Sequence, residues 1–458
     1  MLPESFRVLF VSGIGGATRR YRCVHLQEQL ALEGIESALR EANDARLLTE
    51  AIEYDLFILH RVPFTPLIEH LVEIAHLRGK PVVFETDDLL FDPATVEHIT
   101  FIDGLSPQMA YRFRTNLARM AETFRRADCL LTTTTFLAEQ GRRFGKTAYV
   151  HRNGPSAAMF HLAEAALAER KAAVPENDET VVLAYFSGTA SHERDFRTIV
   201  EPLSRILRTY PHVWLHIGGY LELDEALRPF WPRIRQTPFV SWKTLPSIIA
   251  GTDINLVPLE ADNPFCQAKS EIKFLEAALV GVPTIATPVG AYAHVIDNGV
   301  NGLLADTPED WFNAMQQLIE GAALRRSMGE AARRTVYESY TPAKQAKALI
   351  ATLEAITTRF GGSAIEPTAL ESRFITSIEH YAASMEAERE EREQQIAELR
   401  HTLRQYEAHM AAMKRQIDRV ESTLRQIRAG RVMRLMTGLQ RRWRRLRGRR
   451  SHSERQET

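Results

Sequence analysis

Glu276 sits where a surface acid is not expected, flanked by Phe274, Leu275, Ala277 and Leu279. About a turn and a half earlier, Lys269 and Ser270 stand at the expected start of the same helix, with Glu271 beside them. Ser270 suits an N-cap, and the free N–H groups and positive dipole end of such a helix favour an anion. Lys269 adds a full positive charge, so the segment is read as a phosphate cradle with an acid further along. The N-terminal half carries a second group. Ser12-Gly13-Ile14-Gly15-Gly16 follow the first expected strand, and the backbone N–H groups at Gly15 and Gly16 can approach a diphosphate without side-chain obstruction; a plain turn fits the same residues. Arg19, Arg20 and Arg22 come next, facing either that charge or solvent. Glu85-Thr86-Asp87-Asp88 end another strand, and the adjacent carboxylates of Asp87 and Asp88 can orient a hydroxyl or take its proton, bind a metal, or cap the next helix. His60 and Arg61 close the neighbouring strand. Ser187 and Gly188 end the first strand of the second half, with His192 and Arg194 close behind. His192 and His294 read as loop histidines, and the chain has no H-E-x-x-H, zinc-type cysteine–histidine spacing or Walker lysine motif.

The elements that must position these groups alternate. RVLFVS, DLFILH, PVVFETDD, CLLTTT and AYVHRN read as strands separated by helical patterns, up to about Asn153. The second half repeats the theme. It has strands over 180–186, 213–217, 254–259 and 284–287, and helices over 196–209, 246–250 and 269–281. Val282-Pro283 ends the last of these helices. The fold class is therefore α/β, with two Rossmann-like doubly wound domains in series and ligand sites at the carboxyl ends of the strands, facing a cleft. Three more helical patterns follow over 311–327, 330–340 and 343–358, and Gly361-Gly362-Ser363 with Pro367 marks a linker.

With these residues in place, the segment 253–306 resembles the C-terminal domain of the GT-B glycosyltransferases, and most closely the large retaining family 4. The residues that carry the resemblance are Glu276-Ala277, Gly281, Pro283, Ala286, Gly290 and Asn301-Gly302-Leu303-Leu304. The resemblance implies a metal-independent, hexosyltransferase-type enzyme that moves a sugar from a nucleotide sugar to an acceptor hydroxyl and retains the anomeric configuration; a sugar-nucleotide epimerase on the same fold, or a non-catalytic scaffold, is the competing reading. The transferase requires no cofactor, because the nucleotide sugar is the substrate. By the same resemblance Glu276 grips the ribose hydroxyls and Gly15, Gly16, Ser187 and Gly188 face the donor; Ser270 and Glu271 are expected to line it as well, and from their own positions Asp87, Asp88, Lys269 and Arg194 are the candidates for the chemistry. His60 and Arg61 fall on the acceptor side. Two positions depart from the family pattern. Ala268 stands where a second glutamate is usual, eight residues before Glu276. In the turn after Ser187-Gly188, Thr189 and Asp195 replace a usual arginine and lysine, for which Arg194 and Lys269 are the substitutes. The expected division is an acceptor-side domain over 1–157, a linker over 158–178, a nucleotide-sugar domain with crossing helices over 179–358, and a second linker over 359–374. A coiled coil over 375–429 and a basic tail over 430–458 complete it.

The tail lies outside that resemblance. Ile396, Leu399, Leu403, Tyr406, Met410, Met413, Ile417, Val420, Leu424 and Ile427 recur at alternating spacings of three and four, as in a coiled-coil seam. A seam of this kind predicts a homo-oligomer; packing on the chain's own catalytic domain is the competing arrangement. After Gly430 the apolar stripe becomes Val432, Leu435, Leu439, Trp443 and Leu446, with arginines including Arg434, Arg441, Arg442, Arg444 and Arg445 on the other faces. The 458-residue chain has a formal net charge of −1, yet residues 425–450 hold eleven arginines and no acid. A basic amphipathic helix with a tryptophan fits an anionic membrane surface; a solvated or protein-binding tail is the competing reading, and nucleic acid, which would call for interleaved aromatic platforms, fits least. The acceptor is then expected to be a lipid-linked or cell-surface polysaccharide. Cys23, Cys129 and Cys266 form neither a metal spacing nor a disulfide framework, which favours a reducing compartment. MLPESFRVLFVSG reads as a first strand rather than a signal peptide, so the expected location is cytoplasmic, peripheral on the inner face of the membrane.

Overall fold

The computed structural model describes residues 2–99, 102, 104–173, 179–188, 193–362 and 434–442, with isolated positions between 376 and 414. The chain divides into two compact units, Met1–Ile378 and Glu379–Thr458.

The first unit contains two six-stranded sheets, parallel throughout. The first has the order β2-β1-β3-β4-β5-β6, from β1 (Arg7–Ser12), β2 (Glu36–Glu41), β3 (Leu56–His60), β4 (Val82–Thr86), β5 (Cys129–Thr132) and β6 (Thr147–Val150). Its central strands are buried along their length, Leu56 to His60 and Val82 to Thr86 alike, as expected of parallel strands covered on both faces. The edge strand β2 was not expected. Its sequence ESALRE alternates too little to read as a strand, but Arg7 pairs with Glu36 and holds it in register on β1. The second sheet has the order β12-β11-β10-β7-β8-β9, from β7 (Val181–Ser187), β8 (Val213–Gly219), β9 (Ile234–Thr237), β10 (Ile254–Val257), β11 (Thr284–Ala286) and β12 (Leu303–Leu304). In both sheets the strand order reverses beside the first strand, between β1 and β3 and between β7 and β10. Crevices at such points, outside the carboxyl ends of the strands, are where doubly wound sheets bind ligands.

Counting α-helices of eight or more residues, the first sheet carries α1 (His25–Leu32), α2 (Pro66–Leu77), α3 (Pro107–Arg126) and α4 (Thr135–Arg143). The second carries α5 (Ala157–Ala173), α6 (Val200–Thr209), α7 (Ile272–Leu279), α8 (Pro308–Glu320) and α9 (Ala322–Ser339), and α10 (Pro342–Phe360) follows. Three expectations change here. Most of the 158–178 segment, read as a linker, is the helix α5, whose Met159, Ala163 and Ala166 are buried against the second domain. The single helix expected over 196–209 is a short one, Glu193–Arg197, followed by α6. The helix expected to begin at Lys269 begins at Ile272.

The backbone crosses between the domains twice. Residues 151–156 lead from β6 into α5. After Tyr340, α10 returns to the first domain, packs on α1, and buries Leu349, Leu353 and Ile356 in the core formed by Val8, Phe10, Leu56, Ile58 and Leu131. Gly362 N–H donates to Gly79 O at 2.9 Å, so the start of the segment read as the second linker is docked on this domain.

In the second unit residues 434–442 are helical, with Leu435, Met436 and Leu439 exposed beside exposed Arg434, Arg441 and Arg442. Trp443, Arg444, Arg445 and the coiled-coil seam fall outside the described residues, apart from Ile396, which is 47% exposed. Among the described residues no helix is long and apolar enough to cross a membrane.

Candidate active site

The cleft between the sheets is lined at the carboxyl ends of β1, β3 and β4 on one side and by β7, β10 and α7 on the other. At β1 the chain turns sharply. A Cβ on Gly13 would stand 2.3 Å from Arg61 O, so only glycine lets the β1 and β3 loops approach this closely. Gly15 and Gly16 are exposed at the head of the following helical turn, and Gly16 has φ +80°, a left-handed conformation suited to glycine.

On the opposite wall Glu276 is half-buried on α7, and its Oε1 accepts a hydrogen bond from Tyr21 Oη of the other domain at 2.9 Å. Burial raises the Glu276 carboxyl above its ordinary value. Arg20 lies 5.2 Å from the Tyr21 ring centroid and 5.0 Å from that of Trp242, so it too reaches across the cleft. One turn before Glu276 is Lys273, a residue the sequence reading passed over. Its Nζ lies 4.8 Å from the Tyr185 ring centroid, and burial lowers it to about 8. Ser187 is buried at the end of β7 and Gly188 is exposed next to it. The neighbouring Gly219, at φ +91°, leaves room for Ser187 O, which a Cβ would approach to 1.9 Å.

Lys269 and Asp88, expected on opposite sides of the cleft, meet in it: Nζ donates to Asp88 Oδ1 at 2.8 Å. Arg61 donates to Asp88 Oδ2 at 2.5 Å and, through Nε, to Asp87 Oδ1 at 2.7 Å. Burial alone would raise the Asp88 carboxyl, but Lys269 and Arg61 pull it down to about 2. A carboxylate so saturated is a poor proton acceptor, so of the roles open to this pair, holding charge and orientation fits best.

Several expected roles change with these contacts. Arg61, 7% exposed and with φ +48°, clamps the two aspartates instead of facing an acceptor. His60 is wholly buried; its Nδ1 lies 2.5 Å from Glu85 Oε2, so it does not line the cleft. Ser270 is not the N-cap of α7: that position belongs to Glu271, and Ser270 Oγ accepts from Asn153 Nδ2 at 2.8 Å. Glu271 is wholly buried, its Oε1 accepting from Tyr340 Oη at 2.9 Å and Arg152 Nη1 at 3.4 Å, and so it does not line the cleft. Burial raises its carboxyl. Arg194 is exposed on the Glu193–Arg197 helix, outside the Lys269–Asp88–Arg61 group. Thr189 and His192 lie outside the described residues. Ala268 is buried, with no polar group to offer where the family pattern places a glutamate. Asp195, Glu260 and Cys266 place possible ligand atoms within 4.8 Å of one another. Cys266 Sγ donates to Asp195 Oδ1 at 3.2 Å and burial pushes the thiol up, so the group is satisfied as a protonated thiol and its acceptor.

Two Rossmann-like sheets facing a cleft, with a second crossing helix returning to the first, define the GT-B fold. The solved structure of Anabaena Alr3699/HepE in complex with UDP and glucose shares it, at 15% identity and TM-score 0.54, over 76% of this chain and all of that one. Sucrose-phosphate synthase (tll1590) from Thermosynechococcus elongatus does so at 14% identity and TM-score 0.53, over 77% of this chain and all of that one. The second domain carries a further likeness: residues 181–321 match the model of the glycosyl transferases group 1 family. A 72-residue stretch of the chain is 42% identical to N-acetyl-alpha-D-glucosaminyl L-malate synthase of Bacillus anthracis, covering 15% of this chain and 19% of that relative.

Proposed function

We propose that the protein is a glycosyltransferase that moves a sugar from a nucleotide-sugar donor to an acceptor hydroxyl. The observation that carries this reading is Glu276 on α7, half-buried at the cleft with Lys273 one turn before it, inside the segment that matches the group 1 glycosyl transferases. UDP in the complexes of a structural relative supports a nucleoside diphosphate as the common part of the donor. Glu276 holds the ribose in place of the Tyr21 hydroxyl. Lys273, mostly charged at neutral pH, and Lys269, once released from Asp88, stabilise the negative charge that develops on the leaving diphosphate, which is the main electrostatic demand of the reaction. Asp87 and Asp88, fixed by Arg61, shape the acceptor side. Retention of anomeric configuration and independence of metal ions are part of the reading and rest on the family resemblance.

The acceptor we propose is a lipid-linked or cell-surface polysaccharide, met at the inner face of a membrane. Supporting it are the exposed Leu435, Met436 and Leu439 beside Arg434, Arg441 and Arg442, a combination suited to an anionic headgroup layer. The heptad seam supports a homo-oligomer. Calorimetric titration with several nucleoside diphosphates tests the donor site: binding of at least one is expected, and binding of none refutes the enzyme reading. Screening nucleotide sugars for nucleoside diphosphate release with a lipid extract then identifies the sugar. Deleting residues 431–458 is expected to release the protein from anionic vesicles while sparing turnover of a soluble acceptor. Equal vesicle binding by the truncated form refutes the membrane contact.

A further inference from the structure

A buried polar path runs across the domain boundary. His60 Nδ1 lies 2.5 Å from Glu85 Oε2, and Glu85 Oε1 accepts from Arg22 Nε at 2.6 Å. Arg22 Nη1 donates to Asn153 Oδ1 at 3.1 Å, and Asn153 Nδ2 donates to Ser270 Oγ at 2.8 Å. His60, Glu85, Arg22 and Asn153 are all 0% exposed. The path therefore begins at the carboxyl ends of β3 and β4, beside Arg61, Asp87 and Asp88, and ends two residues before α7, which carries Lys273 and Glu276. Asn153, the link between the two sides, lies in the first interdomain crossing. The adjoining Arg152 reaches Glu271, which also holds Tyr340 at the second crossing.

Asn153 is the one side chain in this path that faces both domains, and its amide fits only one way round. The carbonyl oxygen takes the guanidinium and the amino group gives to the serine; turned over, two donors would meet at Arg22. Buried charge and hydrogen bonds leave each partner little freedom to move alone. We infer that Asn153 is a positioning residue that couples the start of the donor helix to the acceptor-side strand ends, so that donor binding at α7 is felt at Glu85 to Asp88. The inference rests on the donor-site reading above, and its test separates the two.

Hydrogen exchange of the full chain is followed with and without UDP. In the wild type UDP is expected to slow exchange over 272–279 and, through Asn153, over 82–90. In Asn153→Ala and in the milder Ser270→Ala, slowing over 272–279 is expected to remain while that over 82–90 falls by about tenfold, a typical coupling between sites. Ser270→Thr keeps the hydroxyl and is expected to restore it. An 82–90 response in Ser270→Ala equal to that of the wild type, or absent from the wild type itself, overturns the coupling. Loss of the 272–279 response in Ser270→Ala overturns it equally, by making Ser270 a donor contact. No slowing over 272–279 in the wild type refutes the donor site instead, and with it the inference.

Discussion

Removing the Glu276 carboxylate is the most direct perturbation, because its present partner shows what the site selects. Tyr21 Oη donates to it at 2.9 Å, and a ribose hydroxyl that takes the carboxylate must displace that donor. A hydrogen bond to a charged acceptor contributes about 1.5–3 kcal/mol, so Glu276→Ala is expected to weaken UDP binding by roughly 10- to 150-fold. Tyr21→Phe removes the competitor, a hydrogen bond to the same charged acceptor, and is expected to tighten UDP by up to the same roughly 10- to 150-fold. Isothermal titration at neutral pH reads both. Glu276→Ala within twofold of the wild type would refute the assignment, and weaker binding by Tyr21→Phe would place the tyrosine hydroxyl on the ligand. The pH dependence has two opposite signs. Burial raises the folded-state value of Glu276, so UDP affinity falls as pH drops through that raised value. Stability runs the other way: the buried charge costs stability above the folded-state value, and the cost vanishes below the unfolded one. Glu276→Gln is therefore expected to melt higher than the wild type at pH 7, with the gap closing in acid.

Asp88 gives the contrary sign. Its carboxyl is held at about 2 against an ordinary value of 3.8, a difference equivalent to about 2 kcal/mol of stability. That stability is fully present above the unfolded value and lost as pH falls through 2. Urea unfolding should show Asp88→Asn less stable at neutral pH and converging on the wild type in that acid window; a constant gap would refute the linkage. Lys273, lowered to about 8 by burial, carries its charge below that pH. UDP affinity of the wild type should decline above pH 8, and the decline should be absent in Lys273→Met.

The two sheets and the acid on α7 were legible because buried parallel strands leave short apolar runs, and because an acid amid Phe274, Leu275, Ala277 and Leu279 stands out. Edge strand β2 was not, since its outer edge meets solvent and its residues alternate weakly. The start of α7 was misplaced for a local reason. Asn263, whose side chain accepts from Phe265 N at 2.9 Å, opens a separate short helix at Pro264–Gln267, and the chain must turn again through 268–271 before α7 begins. Ser270 thus lost its capping role and became available to Asn153. Lys273 was passed over although a signal was present: it lies three residues before Glu276, on the same helical face. Tyr21, 255 residues from Glu276, and Asn153, 117 from Ser270, carry no local signal at all, because their partners are set by how the domains close.

That closure also bears on where the positive charge at the donor site comes from. The family pattern places it after the first strand of the second domain, where this chain has Thr189 and a buried Asp195. Here the cations near α7 include Lys273, from the helix itself, Lys269, from the turn before it, and Arg20, from the other domain. Asp88 neutralises Lys269 across the cleft, and Arg61 fixes Asp88 from behind. A diphosphate arriving at Lys269 would exchange one anion for another, so the lysine need not be stripped of a partner to bind. Opening the cleft without a ligand, in contrast, would leave both Lys269 and the deeply acidic Asp88 to be resolvated. On the proposed reading, the ion pair that bridges the two domains is thus the one a nucleotide-sugar donor is best placed to replace.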